Sequence, residues 1–274
     1  MLRPRLIPVL LYKDGILVRS KSFNFHQSTG DPIEQVIRFT EWKSDELIYL
    51  DISRANLYNS ELSMSTVGST SSKKEHEAYH LEDFESVIKA IAKQCNIPLT
   101  VGGKIRTLED VHIRLKNGAD KVSINTMAFE RPEFITEVAE KFGRQCVVAS
   151  VDVKFDSIAE KHEVYVSNGK VATGLDPVAW CRKLEKLGAG EILLQSIDRD
   201  GGAKGYDIYL IKEITKAVSI PVICLGGVGT YQHLVEGLEN GASAVAAANI
   251  FHFTEQSVIK AKEYLFSVGI NVRL

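Results

Sequence analysis

Two stretches of this chain repeat one another, and internal repetition limits the fold more than any single motif does. The run from Cys146 to Lys154 (CVVASVDVK) is small and branched apolar residues ending in a carboxylate, Asp152. Its lack of a period-2 break reads as a strand buried on both faces, as in parallel sheets. The run from Leu6 to Lys13 (LIPVLLYK) has the same shape and also places a lysine two residues after the key position. That position, however, holds Leu11. A lone strand-end acid can be a catalytic group or a solvated end, and the second copy is what weights the first reading.

The halves match further. Glu46-Leu47-Ile48 pairs with Glu191-Ile192-Leu193, Val101-Gly102-Gly103 with Leu225-Gly226-Gly227, and the segment Ala119 to Asn125 with Ala242 to Asn249. The last two pairs are offset by about 124 positions and the first by 145, so the first half carries an insertion of about 21 residues between its second and third strands. It falls in the Ser/Thr/Asn-rich stretch 53–80, read as a long loop on the C-terminal face of the sheet: a lid or partner-binding arm, or a tolerated surface insertion.

Strands are expected at Leu6–Leu11, Leu47–Ile52, Leu99–Val101, Lys121–Ile124, Val147–Asp152, Glu191–Ser196, Val222–Leu225 and Ala244–Ala247. Helices between them have start signals at Asp31-Pro32, Arg131-Pro132 and Asp176-Pro177, and stops at Asn117-Gly118, Leu187-Gly188 and Asn240-Gly241. Eight strands alternating with eight helices predict an α/β class, one (β/α)8 TIM barrel over residues 1–274 made of two half-barrels. A doubly wound open sheet is the alternative.

Composition narrows the function. A net charge of −2 gives no bulk attraction to nucleic acid or an anionic membrane. No apolar run approaches the roughly 18 residues of a membrane span, and the N-terminus lacks the form of a signal peptide. Cys95, Cys146, Cys181 and Cys224 are scattered without a CxxC or Cys/His cluster, so free thiols in a reducing, cytoplasmic setting are expected, with no metal and no cofactor.

Several motifs point to chemistry. Gly226-Gly227 with Ala248-Asn249 can cradle a phosphate, because glycine lets backbone approach an anion and a following short helix offers free N–H groups. Gly102-Gly103 with Asn125-Thr126 would make the same cradle opposite. Two cradles suit a substrate phosphorylated at both ends; tight turns are the plainer reading. Lys104 follows the first glycine pair, where it either meets a phosphate or marks a site reshaped for another anion. Asp200, before Gly201, is a second acid/base candidate or part of an Asp-Gly turn. Arg5, Glu46, Lys121 and Glu191 stand at the opposite, N-terminal strand ends, where alternating charges can close a salt-bridged ring or remain solvated.

These residues, together with Lys13-Asp14-Gly15, Gly30-Asp31-Pro32, Asp45-Glu46-Leu47, Leu50-Asp51-Ile52, Gly118 to Thr126, Gly190 to Leu194, Ser196 to Gly201, Phe251-His252-Phe253 and Asn271 to Leu274, resemble the cyclase subunit of imidazole glycerol phosphate synthase. The resemblance covers nearly all the chain except 53–80. It implies a barrel that takes ammonia from a glutaminase subunit docked at the bottom face, passes it up the barrel and uses it on a doubly phosphorylated substrate. It makes Arg5, Glu46, Lys121 and Glu191 the ammonia gate, Asp120 part of the docking face, and Asn125, Thr126, Asp200, Gly201, Gly226, Gly227 and Asn249 phosphate-site positions.

The departures are specific. The family's acid/base pair ends strands one and five; this chain keeps Asp152 but has Leu11, and loss of such a group costs about 10²–10⁴-fold in rate. The family's third cradle glycine is Lys104, its basic first-loop residue is Arg19, and its serine at the second cradle is Asn249. A retained gate with an altered active site resembles the paralogous branch associated with sugar amidation in bacterial surface-polysaccharide pathways, with a separate sugar amidotransferase as further partner. A histidine-pathway cyclase and a non-catalytic ammonia-channelling scaffold are the alternatives.

Overall fold

A computed structural model describes residues 3–53, 84–252 and 257–274. In chain order its strands are β1 (Arg5–Lys13), β2 (Ile16–Lys21), β3 (Phe25–Gly30), β4 (Leu47–Asp51), β5 (Leu99–Gly102) and β6 (Lys121–Ile124). They continue with β7 (Val147–Asp156), β8 (Lys161–Val166), β9 (Val171–Ala172), β10 (Glu191–Ser196), β11 (Val222–Leu225) and β12 (Ala244–Ala247). The helices are α1 (Pro32–Glu41), α2 (Phe84–Gln94), α3 (Leu108–Lys116), α4 (Thr126–Glu130) and α5 (Glu133–Phe142). After them come α6 (Pro177–Leu187), α7 (Ile208–Ala217), α8 (Tyr231–Glu239) and α9 (Val258–Ser267).

β1, β4, β5, β6, β7, β10, β11 and β12 pair in parallel, each with the next, and β12 returns to β1 with Arg5 opposite Ala244. That last pairing closes the sheet, so the fold is the (β/α)8 barrel and the open sheet is excluded. All eight expected strands are present, and strands one and five run on to Lys13 and Asp156. Each continues into an antiparallel hairpin, β2–β3 or β8–β9, that the sequence reading lacked. β3 (FHQSTG) is polar and mostly exposed, so it carries no apolar alternation to betray it.

Asp31 caps α1 by accepting from the Ile33 and Glu34 N–H groups, and Asp176 caps α6 through Ala179. Arg131-Pro132 behaves otherwise: α5 starts at Glu133, leaving Pro132 as a cap with no side chain able to accept a bond. Gly188 ends α6 in the left-handed region at φ 106°, as its position predicted.

The apolar side chains form two cores. One lies between barrel and helices, with Leu6, Leu10, Tyr12 and Tyr49. The other fills the barrel's bore: Ile7, Val9, Leu11, Ile48, Val148, Leu193, Ile223, Leu225, Ala244 and Ala246. Period-2 alternation along β1 separates them, since Leu6 and Leu10 point out while Ile7, Val9 and Leu11 point in. The four cysteines are free, with Cys181 and Cys224 buried. Apart from Ser53, the 53–80 segment lies outside the described residues.

Candidate functional site

At the N-terminal mouth, the four expected charges meet in one ring. Glu46 accepts from Arg5 Nη1 at 2.6 Å, from Lys121 Nζ at 3.0 and 3.1 Å, and from Thr100 Oγ1 at 2.8 Å. Glu191 closes the circuit, 3.0 Å from Arg5 and 3.1 Å from Lys121. The Glu46 side chain is 2% exposed, a depth that a carboxylate tolerates only with its charge and lone pairs matched, as two cations and a hydroxyl match them here. Asp120 is exposed on the same face, and its carboxylate accepts the Leu99 N–H at 2.8 Å. Asp45 holds the Leu6 N–H in the same way and pairs with the buried Lys262 at 2.7 Å, a contact no sequence motif announced.

Above the ring, the bore holds the apolar cluster up to Leu11, which is 7% exposed, and on the other strands the buried polar side chains Thr100, Ser123 and Gln195 share the inward positions. Beyond it, at the C-terminal mouth, are Asp152 and Asp200. Asp152 accepts from Asn125 Nδ2 at 2.8 Å. Burial raises its pKa to about 7; the Asn125 and Ser150 hydrogen bonds oppose the rise, and Asp200 adds to it. Asp200 accepts from Ser20 Oγ at 2.7 Å and from the Phe23 N–H at 3.3 Å, and burial also raises its pKa. A carboxyl held near neutrality in a cleft can take and return a proton at physiological pH.

The two hairpins dock by a shared rule. Ser20 of β2 and Phe23 of the β2–β3 turn reach Asp200, and Asn249 Nδ2 donates to the Ser20 carbonyl at 2.8 Å. Across the barrel, the β8–β9 turn reaches strands two and four. Asn168 Nδ2 donates to the Ile52 carbonyl at 3.2 Å and the Ser167 N–H to Thr126 Oγ1 at 3.1 Å. The halves thus repeat in contacts as well as in sequence.

The cradles have diverged. In both, the second glycine is obligatory for packing: at φ 104° a Cβ on Gly103 would lie 2.2 Å from the Asp51 carbonyl oxygen, and at φ 102° one on Gly227 would lie 2.2 Å from that of Gly205. Gly226 and Gly227 then line a cleft of about 840 Å³ with Gly201, Ala248, Asn249, Arg19, Lys21 and His252. In the first cradle, beside Gly102 and Gly103, polar groups are turned on the protein itself. Asn125 holds Asp152, Thr126 holds the Ser167 N–H, and Lys104 Nζ lies 3.2 Å from Asp51, whose side chain is sealed from solvent. Of the two readings of Lys104, a phosphate contact or a site reshaped for another anion, the structure adds only that its ammonium pairs with Asp51 at the end of strand two.

Sequence reasoning missed Ser20 and His252 as groups lining the second cleft, and Arg38 as a cation acting on His252. The Phe251-His252-Phe253 triplet was the available signal. Arg38 Nη2 donates to the Phe251 carbonyl at 3.1 Å. Among the described residues no three His, Cys, Asp or Glu side chains converge as a metal site would require, and no described helix is long and apolar enough to cross a membrane.

Comparison with known proteins agrees with this architecture. Residues 77–257 match the family described as histidine biosynthesis protein. The imidazole glycerol phosphate synthase subunit HisF of Anoxybacillus flavithermus is 42% identical over 274 residues, covering all of both chains.

Proposed function

The chain belongs to the histidine biosynthesis protein family, as a HisF-like member, and on that premise we propose that it is the ammonia-using subunit of a glutamine amidotransferase. The observation that carries this reading is the closed ring of Arg5, Glu46, Lys121 and Glu191 at one end of a bore, free of charged side chains among the described residues of its apolar cluster, whose other end holds the buried acid Asp152. A glutaminase partner would dock at the ring face, beside Asp120. Opening the ring would admit ammonia, and a bore lined by apolar side chains with a few uncharged polar ones passes a small neutral molecule while opposing ions, which lose hydration there. At the far mouth, Asp152 would handle the proton, and the second cradle would hold a phosphate of the substrate.

The full-length likeness to a HisF subunit favours the histidine-pathway cyclase over the sugar-amidation role that the sequence departures had put first. One observation keeps the second reading: Leu11, in the apolar core of the bore, can neither give nor take a proton. The deciding experiment is turnover of the doubly phosphorylated histidine-pathway substrate by the purified chain with an ammonium salt. Turnover at ordinary rates identifies the cyclase. A folded, phosphate-binding protein with no turnover points to a repurposed barrel, whose partner would then be a sugar amidotransferase.

A further inference from the structure

Among the described residues, Asn249 and His252 at the second cradle, and Arg38 on α1, hold buried polar atoms without partners. His252 has neither ring nitrogen bonded, Asn249 Oδ1 accepts nothing, and Arg38 Nε donates to nothing. Each such group costs free energy unless something outside the chain satisfies it. His252 and Asn249 both line the 840 Å³ cleft that contains Gly226 and Gly227.

We propose that His252 is a proton-linked ligand of this cradle: its imidazole takes up a proton when a dianion enters and donates a hydrogen bond to it. The inference rests on the anion-binding reading of the cradle and goes past it, because it names the residue that senses the charge of the ligand. A half-turn about the Cβ–Cγ bond exchanges each ring nitrogen for a ring carbon, so a ring that borders the cleft can present a donor there without moving its backbone. Burial and the charges around it favour the neutral ring in the free chain. Burial, then Arg38 from α1 and Arg19 from β2, lower its pKa to about 4. Lys21 and Asp200 face the same cleft, the first opposing and the second favouring protonation. A dianion between Arg19 and the ring offsets the two guanidinium charges and gives a ring N–H an acceptor, and both effects favour the imidazolium against the burial that disfavours it.

Sulfate tests this cleanly, because it stays a dianion across the assay range and takes no proton itself. The sign follows from the shift: a ring neutral when free and charged when bound takes up a proton, so sulfate affinity falls as pH rises. Between pH 6 and 8 the fall is up to about tenfold per unit. His252→Gln should bind sulfate at pH 6 about tenfold or more weakly, the usual worth of a charge-assisted bond, and should lose the slope. In the unaltered chain, two-bond ¹H–¹⁵N spectra should show the His252 ring become doubly protonated on adding sulfate. A sulfate affinity independent of pH, a slope that survives in His252→Gln and so belongs to Asp152 or Asp200, or a ring that stays neutral with sulfate bound would each overturn the proposal. No sulfate binding at all would instead remove the anion-cradle reading on which it rests.

Discussion

Lys104 holds the left-handed conformation at φ 54° while its Nζ reaches Asp51 Oδ2 at 3.2 Å, so one residue joins a strained backbone to a buried ion pair. Two terms oppose one another there. Glycine would relieve the left-handed cost, about 1 kcal/mol. It would also take the cation from a carboxylate whose side chain is sealed from solvent, a loss of about 3–5 kcal/mol, softened by the Ser53 N–H that still donates to Asp51 at 2.9 Å. The second term is larger. Lys104→Gly should therefore destabilise the fold by roughly 2 kcal/mol in urea unfolding, and Asp51→Asn in the same chain should restore most of it. A Lys104→Gly protein as stable as the parent would show that the pair contributes nothing.

The charge ring makes a different demand. Lys121→Ala leaves Glu46 and Glu191 sharing Arg5 alone, and should cost about 2–3 kcal/mol. It should also uncouple glutamine hydrolysis from ammonia use when the chain is reconstituted with its glutaminase. The measurement is free ammonia released per glutamine cleaved; an unchanged ratio would mean that the ring holds the barrel shut without guarding passage.

Much of this was readable beforehand because the repeat carries it. A run such as Val147 to Asp152, apolar on both faces, has few places to go other than a parallel sheet, and its echo at Leu6 to Leu11 implied a second half. The ring was legible from strand position instead, since Arg5, Glu46, Lys121 and Glu191 all stand at or just before the start of a barrel strand, and only Glu46 and Glu191 are repeat mates. What escaped were contacts between distant polar residues. Ser20 on Asp200, Asn168 on Ile52 and Lys262 on Asp45 join segments with no periodic relation, and only the closed barrel brings them together. Lys104 shows the limit well: sequence marks a cation beside a glycine pair, but its direction depends on a backbone twist.

Asp152 should leave its mark on stability as well as on rate. Its folded pKa of about 7 lies above the ordinary carboxylate value, so folding favours the neutral form. The unfolded chain loses that proton near pH 4, and the penalty therefore grows from about pH 4 to pH 7 and is constant above. Asp152→Asn should be more stable than the parent at pH 8, by about 4 kcal/mol, and little different at pH 4. A stability difference of the same size at both values would show that the carboxyl ionises normally in the fold. The same variant should lose any turnover that depends on this acid, since asparagine exchanges no proton.

Leu11→Asp asks what the missing acid is worth. Leu11 packs with Val9, Ile48 and Leu225 at 7% exposure, so a carboxyl there gives up apolar contact and is partly desolvated. A stability loss of about 2–3 kcal/mol is expected, together with a raised pKa for the new group. A raised pKa is what a proton-transfer residue near neutrality needs. If the barrel otherwise retains the machinery of a cyclase, ammonium-dependent turnover of the doubly phosphorylated substrate should rise by about 10²–10⁴-fold, the usual contribution of one positioned acid or base. Two results separate the readings. Gain of turnover from near zero would place the defect at this one side chain and favour a barrel diverted from cyclisation. A parent chain already turning over at ordinary rates, with Leu11→Asp slower, would mean that another group handles the second proton. Asp200, buried and proton-retentive across the mouth, would then be the first residue to replace.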